Sequence, residues 1–99
     1  MPIRFEWDSR KERRNQQKHG IGFAEASTVF SDTLSITISD PDHSDDEERW
    51  VILGFSHRQR LLVVVHTEHD DQQIVRIISA RSADRDERRA YEQGHQRKR

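Results

Sequence analysis

Three arginines sit where the local character of this sequence changes. Arg60 opens the apolar run Leu61-Leu62-Val63-Val64-Val65, Arg76 interrupts Ile74-Val75-Arg76-Ile77-Ile78, and Arg81 follows just after that apolar segment. The planar, permanently charged guanidinium grips phosphate oxygens bidentately, so arginines at strand ends suit a phosphate that gains charge during reaction. Cleavage of RNA by its own 2′-hydroxyl requires such cations, a base for the hydroxyl and an acid for the leaving oxygen. His66 shares a face with Leu62 and Val64, which favours a satisfied core or sheet-face histidine; it is also a candidate base or acid, because its charge changes near neutral pH. Glu47 and Glu48, before Trp50, are candidate bases, with a plain solvated loop as the alternative. Tyr91 can donate to phosphate or stack on a base, or anchor the core. For Arg76 an ordinary edge-strand or solvent-face charge competes with a role on RNA.

Other chemistries find less support. There is no Gly-rich phosphate loop, no Gly-x-Ser-x-Gly elbow, no His-Glu-x-x-His pair and no cysteine, which leaves neither a thiolate nucleophile nor a cysteine zinc site. The stretch Asp40-Pro41-Asp42-His43-Ser44-Asp45-Asp46-Glu47-Glu48 places Asp40, Asp42 and Ser44 at alternate positions of a calcium loop. Asp45 then stands where glycine is needed and Val51 where a bidentate glutamate is needed. A solvated acidic loop is the favoured reading and a hard-cation site for a metal-dependent nuclease the competing one. No metal ligand and no cofactor is assigned.

The elements that must position these residues follow from periodicity. Ile3, Phe5 and Trp7 alternate with Arg4, Glu6 and Asp8 as in a short strand with one buried face. Ser9 with Glu12 fits a capping box and Gly20 a C-cap, predicting a helix over 9–19 that contains no apolar residue. Phe23, Ala26, Val29 and Phe30 share a face of a second helix at about 22–30. Leu34, Ile36 and Ile38 alternate with Ser35, Thr37 and Ser39 in a half-exposed edge strand ending at Asp40-Pro41-Asp42. Residues 50–55 and the run from Leu61 are apolar on both faces and read as central strands joined by a turn at Ser56–Gln59. A turn at His69–Gln72 leads to the strand Ile74–Ile78, and Asp84 with Glu87 opens a last helix reaching about Gln93. The order predicts an α+β fold, an antiparallel sheet with two N-terminal helices and a C-terminal helix, in one domain 1–94 with a disordered basic tail 95–99.

Composition narrows the setting. With 31% hydrophobic and 35% charged residues among 99, one thin core is expected, and a partner that adds stability with it. The apolar run from Leu61 is far too short for a membrane span, and Met1-Pro2-Ile3-Arg4 lacks the apolar stretch of a secretory signal, so a cytoplasmic protein is expected. A net charge of −1 conceals two basic ends around an acidic middle. Residues 1–19 carry six Lys/Arg against three acids, 20–56 one against eight, and 81–99 seven against four. If the ends converge they form a local positive field able to attract RNA, with Lys11, Lys18, Arg76, Arg85 and Arg88 as its expected RNA-binding members.

Over residues 5–91 a series of fragments resembles the BrnT toxin family: Phe5-Glu6-Trp7-Asp8, Lys11, Asn15, Lys18-His19-Gly20, Phe23 with Glu25-Ala26, Asp40-x-Asp42-His43-Ser44, Glu48-Arg49-Trp50, Leu53-Gly54, Ile78-Ser79-Ala80-Arg81, Glu87-Arg88 and Tyr91. The resemblance implies a RelE-like fold, ribonuclease activity that halts translation, and a BrnA antitoxin with a ribbon-helix-helix DNA-binding part. Residues 50–65 are also similar to the wider RelE-like toxins, in which an arginine at that strand start and another after the last strand handle the scissile phosphate. By that likeness the roles fall to Arg60 and Arg81. Those relatives often carry Tyr or His directly after the last strand, where Ser82-Ala83-Asp84 stand here, so Tyr91, Arg85 and His66 compete as general acid. On the first helix Asp8, Lys11, Asn15 and Lys18 form one polar stripe, read as an internal hydrogen-bonded seam in preference to an RNA-facing surface.

Three functions compete. The first is a metal-independent endoribonuclease toxin that inhibits translation, held by an antitoxin through which alone it reaches operator DNA. The second is a non-catalytic module binding RNA or protein through the basic ends. The third is a metal-dependent nuclease built on the acidic loop.

Overall fold

The computed structural model describes residues 3–40, 48–69, 71 and 73–97. Chain order is β1 Arg4–Glu6, α1 Ser9–His19, α2 Phe23–Ser27 running into a 3₁₀ turn Thr28–Ser31, β2 Ile36–Ser39, β3 Trp50–Phe55, β4 Leu61–His69, β5 Ile74–Ser82 and α3 Arg85–Arg97. Among the described residues the strands form one five-stranded sheet in the order β1-β5-β4-β3-β2. β2 to β5 pair antiparallel, but β1 lies parallel to β5 with Phe5 opposite Val75, so the sheet is mixed where an antiparallel one was expected. A three-residue alternation encodes which face is buried and carries no information on strand direction. The segment α1–α2 carries the chain from one edge of the sheet to β2 at the other.

One sheet face is closed by α1, α2 and the 3₁₀ turn. Ile21, Phe23, Ala26 and Val29 pack there on Ile52, Leu62, Val64, Val75, Ile77 and Ala80, with Phe5, Trp7 and Phe30 at the margin. The other face carries a smaller cluster of Leu53, Leu61, Val63 and Tyr91, covered by α3. α1 is held without hydrocarbon. Asp8 is its N-cap, accepting from the Arg10 and Lys11 amides, where Ser9 was expected. Glu12, expected to complete a box at the same end, instead accepts the Phe23 amide at 2.9 Å and so ties α1 to the start of α2.

Of the stripe expected to form an internal seam only Asn15 is buried, Lys11 and Lys18 being exposed. The Asn15 amide nitrogen donates to Ile21 O and Ala80 O at 2.8 Å each, and its oxygen accepts from Ala80 N at 3.1 Å. β1 stops opposite Arg76, so the side chain supplies Ala80 with the partners that a longer first strand would have given. Gly20, in the left-handed region at φ 72°, ends the helix as predicted. The box at α3 forms in full: Glu87 N donates to Asp84 Oδ1 at 2.8 Å, and Asp84 N to Glu87 Oε1 at 2.9 Å. α3 continues to Arg97, past the expected end at Gln93 and through residues 95–97 of the expected tail. Gly94 falls within it and lies against Ile36, which a Cβ would meet at 3.1 Å.

Candidate active site

The turn Ser56–Arg60 between β3 and β4 carries His57, Arg58 and Arg60, and nearly every polar group beneath it is engaged. Ser56 N donates to Arg60 O at 2.9 Å and Gln59 N to Ser56 O at 2.8 Å, with Gln59 in the left-handed region at φ 61°. Ser56 Oγ accepts from the amides of Arg58 and Arg60 and donates to Glu25 Oε2 at 2.7 Å. Glu25, on α2, is only 7% exposed. It holds Arg60 by a two-point contact, Nε to Oε2 at 2.8 Å and Nη2 to Oε1, and Arg58 lies 3.9 Å away. The Arg60 guanidinium holds the Glu25 carboxyl down to about 2, against the cost of burial, and Glu25 in turn raises Arg60. Both stay charged, and Arg60, 37% exposed, is fixed at the surface.

Arg81 lies at the same end of the sheet, on the opposite face. It is opposite Val63 near the end of β5 and makes a two-point contact with Glu87 of α3 at 2.8 and 2.7 Å. That contact raises Arg81 and lowers Glu87. Arg85 and Arg88 are exposed on the first turns of α3, and the Arg88 guanidinium lies 6.0 Å over the Phe55 ring. Phe55 meets Tyr91 edge to face at 5.3 Å. Tyr91 is 4% exposed and donates to Asp32 Oδ2 at 2.7 Å, a carboxylate that also accepts the Phe55 amide at 2.9 Å. Burial, with Asp32 beside it, pushes the Tyr91 phenol well up, which suits an anchor rather than a proton donor. Between these elements opens a hollow of about 440 Å³ lined by Thr28, Ser31, Asp32, Phe55, Ser56 and His57.

The structure therefore brings Arg60, Arg81, Arg85 and Arg88 to one end of the sheet, and it does not bring the expected bases there. His66 is fully buried at the far end of β4, about 20 Å along the strand from Arg60. Its Nε2 is 3.0 Å from Glu68, its ring packs edge-on to Phe30 at 4.8 Å, and burial depresses it, so the neutral form sits in the core. Glu48 is exposed ahead of β3, also at that far end. Glu47 and the rest of the acidic loop from residue 41 lie outside the described residues. Arg76 is a solvent-face charge and not an edge-strand one: β5 is interior, and Arg76, 38% exposed, pairs with Glu6 of β1 at 3.0 Å. Lys11 and Lys18 are exposed on α1 beside a separate hollow of about 320 Å³ over Ile78 and Ser79. Among the described residues no three His, Asp or Glu side chains converge as metal ligands.

Glu25, Thr28, His57 and Arg58 carry no role in the sequence reading. Glu25 gave a signal that can be read afterwards, a carboxylate within a short segment whose neighbours Phe23 and Ala26 must be buried. His57 and Arg58 gave none, because a polar four-residue turn between apolar strands already has a sufficient explanation.

Comparison with known proteins agrees with this layout. The chain superposes on the crystal structure of the Brucella abortus ribonuclease toxin BrnT with a TM-score of 0.61 and 24% identity, covering 84% of this chain and 99% of that one. That likeness establishes the shared fold. No curated protein sequence matches the chain. The family model described as ribonuclease toxin, BrnT, of type II toxin–antitoxin system matches residues 7–87. With that span, which runs from α1 through the Glu25-anchored turn to Arg81 and Glu87, the chain belongs to the BrnT family of ribonuclease toxins.

Proposed function

We propose that this chain is a metal-independent endoribonuclease toxin of the RelE-like kind, cutting RNA by attack of a 2′-hydroxyl on the adjacent phosphate and so inhibiting translation in the cytoplasm. The observation that carries the reading is the rigid turn Ser56–Arg60, in which buried Glu25 presents Arg60 at the end of the sheet that also gathers Arg81, Arg85 and Arg88. Fixed guanidinium groups stabilise a phosphorane without reorganising as the charge grows. The test is purified chain with labelled RNA in excess chelator. Cleavage is expected to persist and to leave 2′,3′-cyclic phosphate or 3′-phosphate ends. Products ending in 3′-hydroxyl, or activity abolished by chelator, overturn this mechanism and favour the metal-dependent alternative.

Control is assigned to a BrnA-like antitoxin whose ribbon-helix-helix part binds operator DNA. A type II toxin needs a protein partner, and among the described residues β2 is an outer strand of the sheet, with Ile38 on it 58% exposed and Leu34 just before it 43% exposed. The neighbouring reading frame, co-expressed, is expected to co-purify and to suppress cleavage at physiological salt. One observation favours the non-catalytic binding module: Arg60 and Arg81 are both already paired with glutamates, as structural arginines often are. Binding of labelled RNA without any cleavage, free or on ribosomes, decides for that module.

A further inference from the structure

We propose that His57 is the general base of the cleavage, with its ring proton held on Nδ1 by Thr28 so that Nε2 is left as the acceptor. The inference rests on the ribonuclease reading and names the acid–base group which the arginine cluster lacks. It starts from a hydroxyl with one proton to give. Thr28 Oγ1 donates to Glu25 O at 2.6 Å. The same oxygen accepts the His57 amide at 2.9 Å and stands 3.3 Å from His57 Nδ1. With its proton committed to the Glu25 carbonyl, Thr28 can only accept from the ring; the proton therefore belongs on Nδ1 and the lone pair on Nε2. A base whose second nitrogen is fixed by a further group is the usual arrangement of an activating histidine.

Position supports the role as well as tautomer. His57 is exposed, on the rim of the hollow lined also by Asp32 and Phe55, whereas His66 is fully buried and His69 is bonded to Thr67. Arg58 and Arg60 share its turn, Glu25 and Asp32 face it from the α2 side, and Arg88 lies across Phe55 on α3. Glu25 is bound by Arg60 and Ser56, and Asp32 accepts from Tyr91 and two backbone amides. In the step, Nε2 takes the 2′-hydroxyl proton as O2′ bonds to phosphorus. The bond from phosphorus to the 5′-oxygen breaks, that oxygen takes a proton from water, and the imidazolium proton neutralises the hydroxide left behind. Thr28 acts as a positioning residue, through the ring and not on the substrate.

The experiment compares wild type with His57→Ala, Thr28→Val and Thr28→Ser. It measures single-turnover cleavage of a fluorescein-labelled oligoribonucleotide across pH, binding of its all-2′-deoxy analogue, and thermal unfolding. His57→Ala is expected to slow cleavage about 10²-fold or more and to abolish the acid limb of the pH–rate profile, with binding and unfolding little changed. Thr28→Val is expected to slow it roughly 10-fold with binding and unfolding little changed, and Thr28→Ser, which keeps the hydroxyl, to restore the rate. Wild-type cleavage matched by His57→Ala within about threefold, acid limb intact, overturns the inference and leaves the ribonuclease reading standing. A wild-type chain that cuts neither free nor ribosome-bound RNA overturns the reading and the inference together.

Discussion

Two arginine–glutamate pairs stand at the same end of this sheet and differ in what lies around them. On one face Glu25 is 7% exposed, shares its oxygens among Arg60 and Ser56, and is held down to about 2. On the other face Glu87 is 29% exposed, doubles as the capping residue of α3, and is lowered by Arg81 against partial burial. The first pair fastens a turn to a helix from another part of the chain; the second fastens a strand end to the helix that follows it. A buried carboxylate that cannot be rehydrated must keep its cation, whereas a half-exposed one can exchange its cation for water at little cost. Arg60 is therefore the more tightly held charge, and Arg81 the one that can leave its glutamate at lower cost.

The sharpest test of that contrast is to remove each arginine. Both Arg60→Ala and Arg81→Ala are expected to lower RNA cleavage by roughly 10²-fold or more, as loss of a charge-stabilising donor does elsewhere. Thermal unfolding should separate them, since Arg60→Ala strands buried Glu25 and loses stability while Arg81→Ala melts near wild type. Equal melting temperatures would show that the two pairs are energetically alike.

Removal of the carboxylates reverses the comparison. Glu25→Ala is expected to cost about 2 to 3 kcal/mol, toward the low end for a broken buried pair because Arg60 is 37% exposed. Glu87→Ala is expected to cost about 1 kcal/mol, the size of a lost cap and a surface pair. Denaturant unfolding reads both. Acid adds a finer probe: Glu25 is lowered from an ordinary 4.5 to about 2, so its stabilisation is complete above pH 4.5 and is lost as pH falls toward 2. Glu25→Gln should flatten the unfolding free energy across that window, and a curve superimposable on wild type would show Glu25 to be ordinary in the native state. The smallest effect is expected of Tyr91→Phe, which keeps the ring beside Phe55 and leaves Asp32 its backbone donors at a cost of about 1 kcal/mol. Its cleavage rate should match wild type; a large loss would return the tyrosine to the reaction.

How legible the site was depended on how local its causes were. Gly20 and the Asp84–Glu87 box each rest on residues a few positions apart, and both formed as read, whereas β2 formed only over Ile36–Ser39, with Leu34 outside it and Ile38 exposed. The seam through Asn15 was legible as a need, because a helix without hydrocarbon must be held by hydrogen bonds. Its partner Ala80, 65 residues away, was not. His66 read as a candidate base because a histidine changes charge near neutral pH, while the face it shares with Leu62 and Val64 pointed to a core histidine. That face turned out to be the core, at the far end from the arginines.

By itself the sequence determined the α+β class, the order of elements, the two arginines at strand ends and the resemblance to BrnT toxins, because periodicity, capping and motif order are properties of neighbouring residues. Tertiary structure alone decided that β1 joins β5 in parallel, that Arg60 and Arg81 lie on opposite faces with a glutamate each, and that Thr28 and Glu25 sit under the turn of His57. Those facts depend on which distant segments meet when the core closes. That choice is made by the summed burial of the whole sheet, and no single stretch of the chain encodes it.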